Sequence, residues 1–136
     1  MTTGGERQRR TEGLFVYGTL RFPEVLKGLL GRVPERAPAA VRGWRAAALE
    51  RRPYPGLVPA PGATVHGLLI TGLSPGEWEV LDRFEGDEYR LGRLPLAGGG
   101  RAWTYLWAGG GVRPQDWDAG EFAARHLARY AAGPGG

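Results

Sequence analysis

Near the middle of the chain lies the stretch Trp78-Glu79-Val80-Leu81-Asp82-Arg83-Phe84-Glu85-Gly86, which predicts a short helix with a marked beginning and end. Ser74 can cap the helix N-terminus, and Glu77, three residues later, completes a capping box. Pro75 suits the first helical position. Gly86 can adopt the left-handed conformation that commonly ends a helix. We therefore expect a helix that ends at Gly86 and around which the rest of the chain is organised.

A carboxyl group lies on the apolar side of this predicted helix. Trp78, Leu81 and Phe84 recur at a spacing of three residues. Glu85 follows Leu81 by four residues and therefore shares their stripe. Burial and the negative end of the helix dipole would both raise the pKa of Glu85 towards the range of a general acid or base. The alternative is that the helix ends early and Glu85 points into solvent.

Length and composition predict one domain with one core. The chain has 136 residues, of which 42% are hydrophobic, and it contains no cysteine. Disulfides, thiolate metal sites and a cysteine nucleophile are therefore excluded, and a cytoplasmic location is expected. There is no apolar run long enough to cross a membrane and no secretory signal. We expect a disordered tail over residues 1–12, the domain over 13–132 and a frayed end over 133–136.

The charge pattern gives little support to nucleic-acid binding. Lys and Arg number 18 against 14 Asp and Glu, a net charge of +4, and the basic residues are scattered. A nucleic-acid site would concentrate them on one face. A basic nucleic-acid binder that stacks bases on Trp103, Tyr105 and Trp107, which share one face of a predicted strand, is therefore a minor alternative.

Apolar runs and turn signals predict an α+β fold. The predicted elements are a strand at Leu14–Tyr17, a helix from Pro23 that Gly31 ends, strands at Ala39–Leu49 and Thr64–Thr71, the central helix, a hairpin of Tyr89–Leu96 with Arg101–Trp107, and a helix at Phe122–Tyr130. Residues 52–56 are expected to be an irregular connection, because two prolines and a glycine oppose regular structure. We expect the strands to form a small mixed or antiparallel β-barrel, closed or nearly closed, with flanking helices.

A second capping pattern marks the last predicted helix. Asp118 and Glu121 have the spacing of an N-cap and its partner. Ala123, Leu127 and Tyr130 then form the inward stripe. These residues predict that the end of the chain packs against the domain.

The stretch Tyr17-Gly18-Thr19-Leu20 predicts a glycine turn between the first strand and a helix. Backbone N–H groups at such a turn can bind an anion, and glycine lets a ligand approach the backbone closely. Turns of this kind are common, so the pattern alone gives only weak support to a binding site. His66, which lies within a predicted strand, is expected to be structural.

Four motifs in order resemble the gamma-glutamylcyclotransferase-like superfamily. The resemblance is strongest to the branch that includes the plant avirulence-induced-gene proteins and the gamma-glutamylamine cyclotransferases. It spans residues 14 to about 107. The motifs that carry it are Tyr17-Gly18-Thr19-Leu20, Tyr54-Pro55-Gly56, His66-Gly67 and Leu81-Asp82-Arg83-Phe84-Glu85-Gly86-Asp87-Glu88-Tyr89.

The resemblance implies a small barrel with a substrate cavity in which Glu85 is the catalytic carboxylate. It implies that a γ-glutamyl amine or peptide is cyclised to 5-oxoproline without a metal or cofactor. The residues that it assigns to substrate binding are Tyr17, Gly18, Thr19, Leu20, Tyr54, Pro55, Gly56 and Tyr89. The family usually has a basic residue at the position of Leu91, so the substrate of this chain can differ from that of its relatives.

Two alternatives keep the fold and change the chemistry: a non-catalytic module that binds a small ligand, and an enzyme that acts on another amine conjugate. The expected partner is in each case a small molecule, with neither nucleic acid nor a membrane involved. The sequence does not indicate the oligomeric state.

Overall fold

The computed structural model describes residues 12–132. The predicted frayed end and all of the predicted tail except Glu12 lie outside these residues, and the Glu12 carboxylate contacts Arg93 at 2.8 Å. The elements are β1 (Leu14–Val16), a 3₁₀ turn (Thr19–Arg21), α1 (Pro23–Leu30), β2 (Glu35–Leu49), β3 (Arg52–Thr71), α2 (Pro75–Glu85), β4 (Tyr89–Pro95), β5 (Arg101–Trp107), β6 (Val112–Asp116), α3 (Ala119–Arg125) and α4 (Leu127–Ala131).

Within residues 12–132, six strands form one mixed sheet in the order β4-β5-β1-β3-β2-β6. β1 is antiparallel to β3 and parallel to β5, and β5 also meets β3 where Leu57 lies opposite Leu106. The predicted α+β class is confirmed. The sheet curls where β5 touches β3, but β4 and β6 lie at opposite ends of the strand order, so the expected barrel is not closed.

The central strand β1 is buried on both faces, as its uninterrupted apolar sequence predicts. Leu14 and Val16 face the helices, where they pack with Trp78 and Leu81 of α2. Phe15 faces the other side of the sheet, in a second cluster formed mostly by strand residues. The end of β1 is therefore surrounded by packed elements, and the segment that follows it is held in a defined position.

Both predicted ends of α2 are confirmed. The Ser74 hydroxyl accepts a hydrogen bond from the Glu77 N–H at 3.1 Å, and the Glu77 carboxylate accepts one from the Ser74 N–H at 3.0 Å. Gly86 ends the helix where expected, but with φ of 82° and ψ of −172° it has an extended positive-φ conformation rather than the predicted left-handed helical one. Arg32 also contacts the Glu77 carboxylate at 2.7 Å. The helix that carries Glu85 is thus stabilised at its start and ended one residue after Glu85.

The irregular connection expected at residues 52–56 is wrong, because these residues begin β3 and pair with β2, with Ala47 opposite Gly56. Proline fixes its own φ and drives the preceding residue towards an extended conformation, so alternating prolines are compatible with this strand. The turn lies before it, where Arg51 has φ of 61°. β2 likewise begins at Glu35, four residues before its predicted start.

β6 was not expected from the sequence. Its five residues are all exposed, so they show no apolar alternation, and the strand exists because it pairs with the edge of β2. The aromatic side of β5 is turned inward, because only 5% of Tyr105 and 9% of Trp107 is exposed and the partly buried Trp103 packs against the core. The nucleic-acid alternative therefore lacks its proposed stacking surface.

The last predicted helix is divided in two. Its start is confirmed, because the Asp118 carboxylate accepts a hydrogen bond from the Glu121 N–H at 3.0 Å. His126, with φ of −129°, separates α3 from α4. Phe122 is the fully buried residue of this segment, and its ring centroid lies 5.4 Å from that of Phe22, the residue before α1. Leu127 and Tyr130 of the predicted stripe are partly buried against the core. No helix among residues 12–132 has the length and apolar character that crossing a bilayer requires.

Candidate active site

Two adjoining cavities open at the end of β1, and Thr19, Glu85 and Tyr89 line both of them. The inner cavity has about 20 Å³, room for one water-sized group. It is lined by Phe15, Val16, Tyr17, Gly18, Thr19, Leu20, Pro55, Glu85, Tyr89 and Tyr105. The outer cavity has about 240 Å³ and is lined by Thr19, Tyr54, Phe84, Glu85, Tyr89 and Tyr130.

The turn after β1 forms one wall of the inner cavity. It is closed by hydrogen bonds from the Arg21 N–H to the Gly18 carbonyl at 3.0 Å and from the Phe22 N–H to the Thr19 carbonyl at 3.2 Å. The first N–H groups of such a helical turn have no acceptor within it. A Cβ atom at Gly18 would lie 2.6 Å from Cγ of Pro55, so this position requires glycine for close packing.

Glu85 lies at the last turn of α2 and lines both cavities, so the alternative in which it points away from the protein is wrong. Burial, followed by the negative charge of Asp82, raises the pKa of Glu85 from 4.5 to about 8. The residue is half-buried as a whole. Its carboxyl end is the part withdrawn from water, and this desolvation is the main cause of the shift.

The Asp82 carboxylate lies one helical turn before Glu85 and is oriented by Tyr105. The Tyr105 hydroxyl donates a hydrogen bond to Asp82 at 2.7 Å, and the Tyr105 carbonyl accepts one from the Tyr17 hydroxyl at 2.5 Å. These hydrogen bonds connect Tyr17, which lines the inner cavity, through Tyr105 to the Asp82 carboxylate, whose charge acts on Glu85.

Two phenols beside Glu85 are held in their protonated form. The Tyr89 hydroxyl donates a hydrogen bond to the Pro55 carbonyl at 2.5 Å. Burial raises the pKa of both Tyr17 and Tyr89, and the charge of Glu85 raises it further. At neutral pH these hydroxyls are donors, so the carboxyl group is the side chain of this site that can exchange a proton.

The structure brings together all but one of the residues singled out from the sequence as site residues. Gly56 lines neither cavity. A Cβ atom there would lie 2.7 Å from the Trp107 side chain, which makes Gly56 a packing position. His66 is exposed in β3. Leu91, at the position where the resemblance implied a basic residue, packs at the edge of the core cluster that contains Trp78.

Five residues that line the cavities were not predicted as site residues, and two of them, Phe15 and Val16, were assigned only to the first strand. Tyr105 was assigned only to an aromatic strand face, and Phe84 and Tyr130 only to helix stripes. The inward position of each stripe was the available signal, but nothing in the pattern indicated that α2 and α4 would meet at one cavity. Within residues 12–132 no group of three His, Asp or Glu side chains is arranged to hold a metal ion.

A larger cleft of about 570 Å³ lies beside this site, between β6 and the C-terminal helices. Its lining mixes positive side chains, such as Arg113, with acids such as Asp116, and Arg45 contacts Asp116 there at 3.1 Å. Its acids, Asp116, Asp118 and Glu121, are exposed residues, whereas Glu85 is half-buried and lines two cavities. The cavities around Glu85 are therefore the better candidate for chemistry.

The fold and the cavity define a small α+β domain with one protonatable acid facing a glycine turn. The chain belongs to the gamma-glutamyl cyclotransferase, AIG2-like family, whose model matches residues 14–123. The predicted resemblance is thereby confirmed.

Several plant proteins resemble the chain in sequence. Protein AIG2 C of Arabidopsis thaliana is 28% identical over 132 residues, covering 89% of this chain and 78% of the relative. AIG2-like protein C of the same plant is 41% identical over 76 residues, covering 56% of this chain and 44% of the relative. The matches to AIG2-like proteins A to D span between 44% and 50% of the length of those relatives.

Solved structures share the fold. A solution structure of an Arabidopsis thaliana protein is 30% identical with a TM-score of 0.66, covering 86% of this chain and 83% of that one. A second Arabidopsis solution structure has a TM-score of 0.67 at 27% identity, covering 86% of this chain and 75% of that one. A structure titled gamma-glutamyl cyclotransferase has a TM-score of 0.59 at 14% identity, covering 74% of this chain and 67% of that one, which shows a common fold.

Proposed function

We propose that this protein is a cytoplasmic gamma-glutamylcyclotransferase-type enzyme that converts a γ-glutamyl amine or γ-glutamyl peptide to 5-oxoproline and a free amine. Glu85 is the general acid and base of this proposal. The observation that carries it is a carboxyl group with a pKa of about 8 at the junction of two cavities beside the Gly18 turn. Family membership supports the reaction type.

The proposed reaction needs one proton carrier. The substrate's α-amine attacks its own γ-carbonyl carbon, which forms a C–N bond and closes a five-membered ring. The bond from that carbon to the leaving nitrogen then breaks. Glu85 takes the proton from the attacking amine and delivers it to the leaving amine, so no water is consumed and the carboxylate is regenerated in its starting form.

The raised pKa of Glu85 suits both halves of this transfer. At pH 7 a carboxyl group with a pKa of about 8 is mostly protonated, and the ionised fraction, about a tenth, can accept the proton of the attacking amine. Because the attack is intramolecular, holding a folded substrate conformer supplies much of the rate, with effective molarities of about 10⁵ M or more.

The glycine turn supplies the anchor in this proposal. The inner cavity admits one water-sized group, which matches a single oxygen or a small anionic group better than a whole substrate. We assign it to an oxygen of the substrate, either of the α-carboxylate or of the developing oxyanion, held by N–H groups of Gly18, Thr19 and Leu20. The outer cavity then receives the remainder of the molecule.

The alternatives are a non-catalytic module that binds the same class of ligand and an enzyme for another amine conjugate. Leu91, at the position where the resemblance implies a basic residue, packs against the core and lines neither cavity, so this departure does not argue against chemistry at Glu85. The raised pKa of Glu85 serves no evident structural purpose, and this favours catalysis over binding alone.

Incubation of the protein with a panel of γ-glutamyl dipeptides and γ-glutamyl amines tests the proposal, with 5-oxoproline measured by mass spectrometry. We expect equal amounts of 5-oxoproline and free amine from at least one compound. Release of free glutamate would indicate hydrolysis and contradict the cyclisation. Saturable binding by calorimetry without product would support the binding module.

A further inference from the structure

The cleft between β6 and the C-terminal helices has a volume of about 570 Å³, which is within the range of about 300 to 1,000 Å³ that is typical of small-molecule sites. It shares no lining residue with the cavities around Glu85. Arg52 lies on the border, because it lines the cleft and interacts with Tyr54 of the outer cavity. Arg129 likewise lines the cleft and interacts with Tyr130. The cleft is therefore a second space next to the active site.

Two other arginines of the cleft have side chains without a partner. Arg51 lies in the turn between β2 and β3, and Arg113 lies on β6. Neither side chain forms an ion pair or a hydrogen bond with any of residues 12–132. Arg52, by contrast, is bound to the Glu88 carboxylate at 2.5 Å. The guanidinium groups of Arg51 and Arg113 are therefore available to a ligand.

The acids that line the cleft are already engaged. Asp116 contacts Arg45 at 3.1 Å. The Asp118 carboxylate caps α3 through the Glu121 N–H at 3.0 Å, and the Glu121 carboxylate lies 3.8 Å from Arg125. The charge in the cleft that has no partner is therefore positive, and it would attract an anion.

Arg51 has a backbone conformation that arginine rarely adopts. Its φ is 61°, and among residues 12–132 it is the only residue other than glycine with a positive φ. Glycine would adopt this conformation at lower cost. Strained positions of this kind cluster at functional sites, and the strained residue here is one whose side chain lines the cleft. This observation is independent of the charge pattern and points to the same side chain.

The cleft also offers aromatic surface. Trp117, which lines it, is partly exposed. The indole N–H of Trp117 donates a hydrogen bond to the Pro53 carbonyl at 2.7 Å, and the ring centroid lies 5.5 Å from that of Phe122. Because the N–H is engaged, the ring offers a ligand its apolar surface. The cleft thus combines two available guanidinium groups with an aromatic ring held in place.

We propose that this cleft is a binding site for a small molecule that carries a phosphate monoester on an aromatic ring. Guanidinium groups bind phosphate oxygens in a bidentate geometry. A phosphate monoester has a charge of about −1.5 to −2 at pH 7, which matches the two available arginines, Arg51 and Arg113. The ring of the ligand packs against Trp117. This inference goes beyond the proposed reaction and does not depend on it.

Three probes test the site on the wild-type protein: phenyl phosphate, inorganic phosphate and phenol. Binding is measured by calorimetry at about 150 mM salt, where attraction between distant surface charges is screened. We expect phenyl phosphate to bind saturably, about tenfold more tightly than either of the other two. In amide NMR spectra it should shift the Trp117 indole N–H signal. Absence of saturable binding, equal affinity for inorganic phosphate, or shifts confined to residues 17–20 would each overturn the inference.

Substitutions identify the residues responsible. Arg51→Gly and Arg113→Gln should each weaken binding of phenyl phosphate about tenfold. Arg51→Gly should not lower the urea midpoint, because glycine suits the positive φ, so weaker binding in this variant cannot be attributed to unfolding. Arg42→Gln removes the same charge from an exposed position of β2 outside the cleft and should leave the affinity unchanged.

Two results with these variants would contradict the site. Unchanged affinity in both Arg51→Gly and Arg113→Gln would exclude the two arginines. An equal loss in Arg42→Gln would show a general attraction to the basic chain. These measurements record binding alone, so failure of the cyclisation at Glu85 would leave their outcome intact.

Discussion

Two helical regions meet at the same cavity, and they reach it by different means. α2 is continuous, capped at both ends, and presents Glu85 from its last turn. The C-terminal region is broken at His126 into two short helices and presents Tyr130 from the second. Local sequence signals thus determine the position of Glu85. The position of Tyr130 depends instead on how the C-terminal helices pack against the rest of the domain.

The largest expected effect comes from the reactive end of α2. Glu85→Gln keeps the shape of the side chain and removes its proton exchange, so turnover should fall by a factor of about 10² to 10⁴. The matched control is Glu79→Gln, an exposed carboxylate on the same helix, which should retain turnover. Release of 5-oxoproline at fixed enzyme concentration measures both. Near wild-type turnover in Glu85→Gln would remove Glu85 from the mechanism.

The stability of Glu85→Gln shows whether that loss is chemical. The pKa of Glu85 is raised in the folded state, so the folded protein holds the proton more tightly than the unfolded chain between pH 4.5 and about 8. Wild-type stability should therefore fall as pH rises through this window, at up to about 1.4 kcal/mol per pH unit. Glu85→Gln should lack this dependence and be the more stable protein at pH 9. Thermal unfolding at pH 5 and pH 9 measures the difference.

Gly18→Ala tests the turn after β1, which forms one wall of the inner cavity. The new methyl group would lie 2.6 Å and 2.9 Å from Pro55 atoms, so the turn or Pro55 must move. We expect a loss of about 1 to 3 kcal/mol in the free energy of unfolding, together with a raised KM. Gly98→Ala, in the hairpin loop where a Cβ meets nothing within 4 Å, is the control. Urea unfolding of both variants that gave equal midpoints would contradict the close packing.

Asp82→Asn should change the pH dependence of the rate more than its maximal value. The wild-type rate should rise with pH towards about 8, as the base form of Glu85 becomes available. Removing the Asp82 charge lowers the pKa of Glu85, so the rise should move to lower pH, although burial still holds the pKa above 4.5. Asp87→Asn, which removes an exposed charge from the adjacent turn, is the control. An unmoved profile in Asp82→Asn would exclude its electrostatic role.

The smallest effects should come from the two N-caps. Ser74→Ala and Asp118→Ala each remove an observed cap, at a cost of about 1 kcal/mol or less. Ser74→Ala should lower the melting temperature by a few degrees. Asp118→Ala should mainly raise the KM for the γ-glutamyl substrate, because it loosens the segment that carries Tyr130 and Tyr130 lines the outer cavity. Ser74→Thr and Asp118→Asn keep the caps and serve as controls. An unchanged KM in Asp118→Ala would show that this cap does not affect the outer cavity.

Prediction from the sequence was successful where neighbours along the chain supply the signal. The capping box, the apolar stripe and Gly86 defined α2. The apolar run of β1 and Gly18, which follows it, defined the turn after β1. It was wrong at residues 52–56, where local proline content suggested a break. Pairing with β2 outweighs that preference, because proline is compatible with an extended backbone. β6 has no pattern of its own, since all of its side chains are exposed.

The amino-acid order was sufficient for α2 and for the inward side of Glu85, because helix caps and periodicity act over a few residues. It was also sufficient to identify the family. The direction of the pKa shift of Glu85 was predicted, but its size, the contribution of Asp82, the inner cavity and the meeting of Phe84 with Tyr130 required the folded chain. Each of them depends on the removal of water by residues distant in sequence, and no local pattern encodes that.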